Sequence, residues 1–438
     1  MIGIIGLILA MAAVIFLIWR GWHMAIVSVI GAIVVIAFNG MDLFTTLNDA
    51  FMGDMSTFVG KWFLLFSLGS IFGRVMGDSG ASTGIATSML KAIGEKYALL
   101  ALMVTGVILS YGGISTFIIA YSLYPIAVAL FEKADIPKKL IVAAIMACPV
   151  TLGMVMMPGL PSTQNLLPTT YLGTDAYAGA TLGLICSAIM FVSAYLYLQW
   201  QIKKCKAAGE HFVKHPDETI RDLGDASVAI PTWACYAPIV LLVVLVFVFQ
   251  KVTSMNATDA VTVAMVVAIA LGCALYRSNL GNIQKAICEA TGSGLSSLVS
   301  IASIMGFGAV VVASSAYQTI VDVLVNSSIN PLGQAYITIS VIAGITGSAI
   351  GALNIFFGTN MATNLVATGL NPAMIHRVLC MATVGPATAM PHTGAMLACN
   401  QAARTELRDT YRYTVVCGAV LPFIVSLIGL CLGLLGVV

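Results

Sequence analysis

The sequence predicts an all-α polytopic membrane protein, and three observations predict it. Of the 438 residues 59% are hydrophobic and only 9% charged, with a mean hydropathy of +0.99, outside the range of soluble globular domains. Apolar runs of spanning length recur from end to end, among them Ile2 to Trp19, Met24 to Phe38, Ala178 to Trp200, Trp233 to Phe249 and Tyr413 to Val437. A bilayer core offers no water to backbone N–H and C=O groups, so such runs are helices. The first run lacks a small-residue cleavage site before the next span and reads as a retained helix, not a signal peptide.

Composition also excludes functions. A net charge of +2, with basic residues scattered through loops, leaves no footprint for nucleic acid. Ten cysteines sit mostly singly in apolar runs, as at Cys148, Cys186, Cys235, Cys273, Cys417 and Cys431, with no CxxC and no cysteine paired with a histidine. They read as small apolar filler, and neither a metal nor another cofactor is expected. No GxxxxGK[ST] occurs, so ATP drive is not expected. A membrane-embedded enzyme would need clustered acids, histidines or cysteines, and the chain is not expected to be an enzyme.

The one long hydrophilic segment, 201–230, divides two halves of similar length. "DAFMGDMSTFV" at Asp49 aligns with "EATGSGLSSLV" at Glu289, "YGGISTF" at Tyr111 with "GALNIFF" at Gly351, and "MPGLPST" at Met157 with "MPHTGAM" at Met390. The offset stays close to constant, 240 from 49 to 289 and 233 from 157 to 390. Each half also holds an apolar run of about 35 residues with a polar, glycine-containing centre, too long for one crossing and too short for two. A re-entrant hairpin fits both. The expected organisation is therefore two inverted-topology repeats, each of about five transmembrane helices plus one hairpin. The first spans 1–200 (hairpin 98–131, broken helix 140–173), a cytoplasmic linker covers 201–230, and the second repeat spans 231–438 (hairpin 334–368, broken helix 373–402). On that parse 17 of the 20 basic residues face the linker's side, and only Lys61, Lys251 and Arg377 fall outside.

Inverted repeats with helices broken near the midplane are the build of secondary transporters. Freed N–H groups, hydroxyls and positive half-helix ends can hold a carboxylate without the cost of burying an arginine. Four breaks offer that chemistry. They are Gly112, Gly113, Ser115 and Thr116; Pro158, Gly159, Pro161, Ser162, Thr163, Gln164 and Asn165; Gly351 and Asn354; and Pro391, His392, Thr393 and Gly394. His392 is the one histidine expected deep in the membrane, and imidazole titrates in the range a proton carrier needs. A neutral histidine donating to a freed carbonyl is its bland alternative. Asp54, and Arg74 with Asp78, read as surface or interdomain groups.

Three ordered segments, "FGRVMGDSGAS" (Phe72 to Ser82), "MPGLPSTQNLLPTTYLGT" (Met157 to Thr174) and "MPHTGAM", are similar to signature segments of the gluconate permease family, within the ion transporter superfamily. The resemblance spans nearly the whole chain. It implies a proton symporter of sugar acids or short hydroxy acids in the cell inner membrane, homodimeric, with a scaffold domain and a transport domain that moves as an elevator. It also implies substrate contact from Pro158, Gly159, Pro161, Ser162, Gln164, Asn165, Pro391, His392 and Gly394. Gluconate-type members carry an aromatic pair followed by an aspartate at the first hairpin, whereas "YGGISTF" has no acid. That departure favours a smaller monocarboxylate such as 3-hydroxybutyrate over gluconate. Sodium held by freed carbonyls is the alternative coupling ion, and a channel is the remaining class.

Overall fold

The computed structural model describes residues 2–438 apart from 112–115, 161, 215–229, 253–254, 256, 327–329 and 359. In the first half α1 (Ile2–Trp19) and α2 (Met24–Asn39) precede the long α3 (Leu43–Asp78). Then come α4 (Ala81–Ile93), α5 (Ala98–Tyr111), α6 (Thr116–Lys133), α7 (Leu140–Met156), two single-turn helices α8 (Thr163–Leu166) and α9 (Thr169–Leu172), and α10 (Ala180–Ala207). The second half runs α11 (Thr232–Val252), α12 (Ala257–Leu275), α13 (Ile283–Ala313), α14 (Ser315–Val325), α15 (Pro331–Thr346), α16 (Ala349–Phe357) and α17 (Asn360–Ala367). It closes with α18 (Pro372–Thr383), the single-turn α19 (Pro386–Ala389), α20 (Gly394–Ala403) and α21 (Leu407–Leu434). Six of the described helices are long and apolar enough to cross a membrane: α1, α3, α10, α11 over Thr232–Phe249, α13 and α21.

Individual elements correspond between the halves. Helices α3 and α13 begin 240 positions apart, at Leu43 and Ile283, and α10 and α21 are both 28 residues long. Helices α3 and α13 pack along one another. Their approach depends on small residues, since a Cβ on Gly294 would lie 2.7 Å from both the Phe66 carbonyl oxygen and Ser70 Oγ. At 36 residues α3 is roughly 54 Å long, well beyond a hydrocarbon core of about 30 Å. Its Arg74 end can therefore reach water. There Arg74 bonds Asp78 at 2.6 Å within α3 and Glu289 of α13 at 3.2 Å.

Helix α10 continues through Gln201–Ala207, seven residues into the segment read as linker. The chain that follows docks on the α6–α7 loop. His211 Nδ1 meets Asp135 Oδ2 at 2.8 Å, the Phe212 N–H donates to Asp135 Oδ1 at 3.0 Å, Lys214 pairs with Glu132 at 2.7 Å, and Lys139 pairs with Glu210. The rest of the expected linker lies outside the described residues. The hydrogen bond to His211 chiefly holds Asp135 below its ordinary value of 3.8, and that from Lys139 holds Glu210 below 4.5. A carboxyl with a lowered pKa in the fold favours the fold above its ordinary value and loses that contribution as pH falls through the folded one. Amide exchange over 208–214, corrected for intrinsic rates, is expected to stay flat down to about pH 5 and to rise below about pH 4. Protection persisting to about pH 3 would show that these pairs do not hold the segment.

Candidate functional site

The first break follows from proline chemistry. Pro149 lies inside α7, where a missing N–H and ring clash widen the turns, and Met146–Met156 is wound as a π-helix. The helix stops at Met156, before buried Pro158. Gly159 then turns the chain at φ +78°, a conformation that favours glycine, and its N–H donates to the Ala176 carbonyl at 2.9 Å. Ser162 caps α8, accepting from the Asn165 N–H at 3.2 Å and donating to the Met154 carbonyl at 2.6 Å.

Asn165 is fully buried and its amide is already engaged. Nδ2 donates to the Leu160 and Ala176 carbonyls, both at 2.9 Å, and Oδ1 meets His376 Nε2 at 3.2 Å. The Thr174 hydroxyl lies 2.7 Å from the other ring nitrogen of His376. Because Oδ1 can only accept, one neutral tautomer serves both contacts, with Nε2–H donating to Asn165 and Nδ1 accepting from Thr174. Thr163 is exposed and Gln164 half-buried.

Arg377, one of the three basic residues that the charge count assigns to the outer side, has a fully buried side chain. Nε donates to the Ala178 carbonyl at 3.1 Å, Nη1 to Val155 at 3.0 Å and Met157 at 3.5 Å, and Nη2 to Ala176 at 3.3 Å and Ala178 at 2.8 Å. Five N–H directions thus meet four carbonyls at the two ends of the excursion between α7 and α10. Those are the carbonyls that a broken helix frees, and the planar five-donor fork fits them. Helix α10 passes close over the arginine because Gly179 and Gly183 allow it. A Cβ on Gly179 would lie 2.6 Å from Arg377 Cβ, and one on Gly183 2.5 Å from the Met156 carbonyl oxygen. His376, beside Arg377, is as fully buried in the protein as His392.

The second break lies past the other end of α18. Val384 is extended, Gly385 turns at φ +87°, and Pro386–Ala389 adds one helical turn before buried Pro391. Thr393, 4% exposed, donates to the Ala387 and Met390 carbonyls, and no side chain caps α20, which begins at Gly394. His392 is 1% exposed, and neither ring nitrogen makes a hydrogen bond, although the Ile345 carbonyl at the end of α15 interacts with the ring. The ring stands edge-on to Phe307 of α13, centroids 6.2 Å apart.

The turn between α15 and α16 falls at Gly347 and Ser348, so Gly351 and Asn354, expected at the second tip, lie within α16 instead, and this segment touches both breaks. Gly347 sits at φ +63°, and a Cβ there would lie 3.3 Å from His392 Cδ2. Ser348 caps α16 through the Gly351 N–H at 3.0 Å, while Asn354 further along is exposed. Helix α16 packs against α8 and α18, and Phe357 stacks on Tyr171 at 4.6 Å. Of the first tip, Gly112, Gly113 and Ser115 lie outside the described residues, as does Pro161; Thr116 opens α6. The structure therefore joins the first break, the second hairpin and the second break through α18. No partner-free histidine and no arginine clamp could be read from spacing; the usable signal was that freed carbonyls require donors, and Arg377 supplies them.

Six apolar helices of spanning length among the described residues, together with the shorter α7 and α18 that each run into a break at proline and glycine, define a multi-pass membrane protein with a broken-helix site. The sequence profile of the GntP family permeases matches residues 2–433. The chain belongs to that family and is a membrane transporter. An uncharacterized transporter of Bacillus subtilis, YxjC, is 27% identical over 93% of this chain and 94% of its own length. A high-affinity gluconate transporter of Escherichia coli is 23% identical over 81% of this chain and 80% of its own. The crystal structure of the Alcanivorax borkumensis YdaH transporter aligns with 90% of this chain and 89% of its own length at 15% identity and a TM-score of 0.44.

Proposed function

We propose that the protein is a secondary active importer of a small organic monocarboxylate, a hydroxy acid or sugar acid such as 3-hydroxybutyrate or gluconate, driven by proton symport across the cell inner membrane. The observation that carries this reading is His392, buried without a hydrogen-bond partner between the second hairpin tip and the uncapped N-terminus of α20. Unpartnered buried polar groups are costly and are kept where they have work. A helix N-terminus favours an anion, and imidazole changes charge in the physiological range. The gluconate transporter among the relatives supports an organic acid as cargo. The correspondence of α3 with α13 and of α10 with α21 supports inverted repeats, each with a re-entrant hairpin. In that reading α3 and α13 belong to a scaffold that dimerises, and the hairpins and breaks move as an elevator, with the linker cytoplasmic.

Labelled gluconate and 3-hydroxybutyrate, offered to proteoliposomes under an imposed proton or sodium gradient, test it. Accumulation is expected with the proton gradient. Accumulation with sodium alone would replace the coupling ion, and none with either gradient would overturn symport.

A further inference from the structure

Away from the breaks, a cavity of about 870 Å³ opens between α3, α6, α13 and α20. Three of the residues lining it carry buried polar atoms without a hydrogen-bond partner: Ser70 Oγ, Tyr121 Oη and Gln401 Oε1. Ser70 is 9% and Tyr121 8% exposed. Ser297 neighbours the tyrosine hydroxyl without making a hydrogen bond of ordinary geometry. A single orphaned hydroxyl is unremarkable, but three from three helices meeting in one cavity describe an unfilled set of partners.

The charges on the lining say what could fill it. Its carboxylates are already ion-paired: Asp78 and Glu289 with Arg74, and Glu406 with Arg408 at 2.8 Å. Arg404, just past the end of α20, adds a further cation to the wall. Gln401 Oε1 can only accept, so a bare carboxylate has nothing to offer it, whereas a ligand hydroxyl donates. The tyrosine and serine hydroxyls can each donate or accept. The set suits a molecule that carries both a carboxylate and a hydroxyl. Position fits as well, since Gln401 lies seven residues along α20 from Gly394, roughly 10 Å from the second break.

We propose that this cavity is a second binding station for the transported molecule, holding the hydroxyl of a small hydroxy acid against Ser70, Tyr121 and Gln401 with its carboxylate towards Arg404. The proposal rests on the reading of the protein as an organic-acid transporter. It makes the substrate's hydroxyl a recognised group outside the broken-helix site.

The test uses the purified full chain, with thermal shift titrated against gluconate, 3-hydroxybutyrate and butyrate, for the wild type, Tyr121→Phe and Ser70→Ala. Removing an orphaned hydroxyl is expected to leave the ligand-free melting temperature unchanged or raised. The concentration of hydroxy acid giving half the shift should rise at least about fivefold in both variants, the worth of one hydrogen bond. The value for butyrate should not move. A lowered ligand-free melting temperature would show that the hydroxyls have internal partners, and an equal loss for butyrate would show general damage; either overturns the station. Unchanged hydroxy-acid titrations in both variants would overturn it while leaving the transporter reading intact. A wild type that responds to none of the three acids would sink both.

Discussion

Replacing Arg377 by methionine is expected to abolish uptake and to lower the stability of the purified protein by about 3–5 kcal/mol, the overlapping cost of leaving four buried carbonyl acceptors unsatisfied. Methionine fills much of the same volume but strands the carbonyls of Val155, Met157, Ala176 and Ala178, which take all five guanidinium hydrogen bonds. Each stranded acceptor costs about 1–3 kcal/mol, and the losses overlap because the excursion can relax. Arg377→Lys separates charge from geometry. An ammonium keeps the charge but has three donors and no planar fork. The lysine protein is expected to fall between the other two in melting temperature and to raise KM for uptake more than it lowers the maximal rate, because Gly159, Ser162 and Asn165 would be held less firmly. Thermal unfolding with uptake kinetics reads both. Wild-type melting and KM in the methionine protein would show that the excursion keeps its shape unaided.

How far this arrangement was legible in the sequence differs by level. Apolar runs located the spanning helices, because a period is unnecessary where every face is apolar. Proline and glycine located both breaks to within a residue or two: α7 ends at Met156, one residue before "MPGLP", and α20 begins at Gly394, at the end of "MPHTG". The extent of α3 was less visible, since its glycines, serines, Lys61 and Arg74 dilute the hydropathy of a helix that packs on a neighbour along its length. Arg377 was illegible for a deeper reason. Hydropathy assigns an arginine to water unless something inside accepts its hydrogen bonds, and the acceptors here are backbone carbonyls, which are the same in every sequence. Asn165 shows the same limit. Sequence placed it at the broken helix, but only three dimensions show its amide engaged with Leu160, Ala176 and His376, which makes it a residue that shapes the excursion between α7 and α10.

His392 is expected to behave in the opposite way to Arg377. In His392→Leu the two ring nitrogens that lack partners are gone, so the ligand-free protein should be as stable as the wild type or more stable, by up to about 1–3 kcal/mol. Accumulation driven by a proton gradient should nevertheless fall to the equilibrium level, and the dependence of uptake on pH should flatten. Measured together, these outcomes distinguish a carrier from a core residue. A histidine kept only for packing would be improved by leucine with no change in coupling, and one secretly hydrogen-bonded to the Ile345 carbonyl would lose stability. Retained pH dependence in the leucine protein would move coupling to another group. A gain in stability with a loss of coupling is the pattern of a site that holds a poorly satisfied group for its chemistry. On this reading the two breaks divide the labour: the first is held by the donors of Arg377, and the second keeps a histidine whose ring nitrogens make no hydrogen bond.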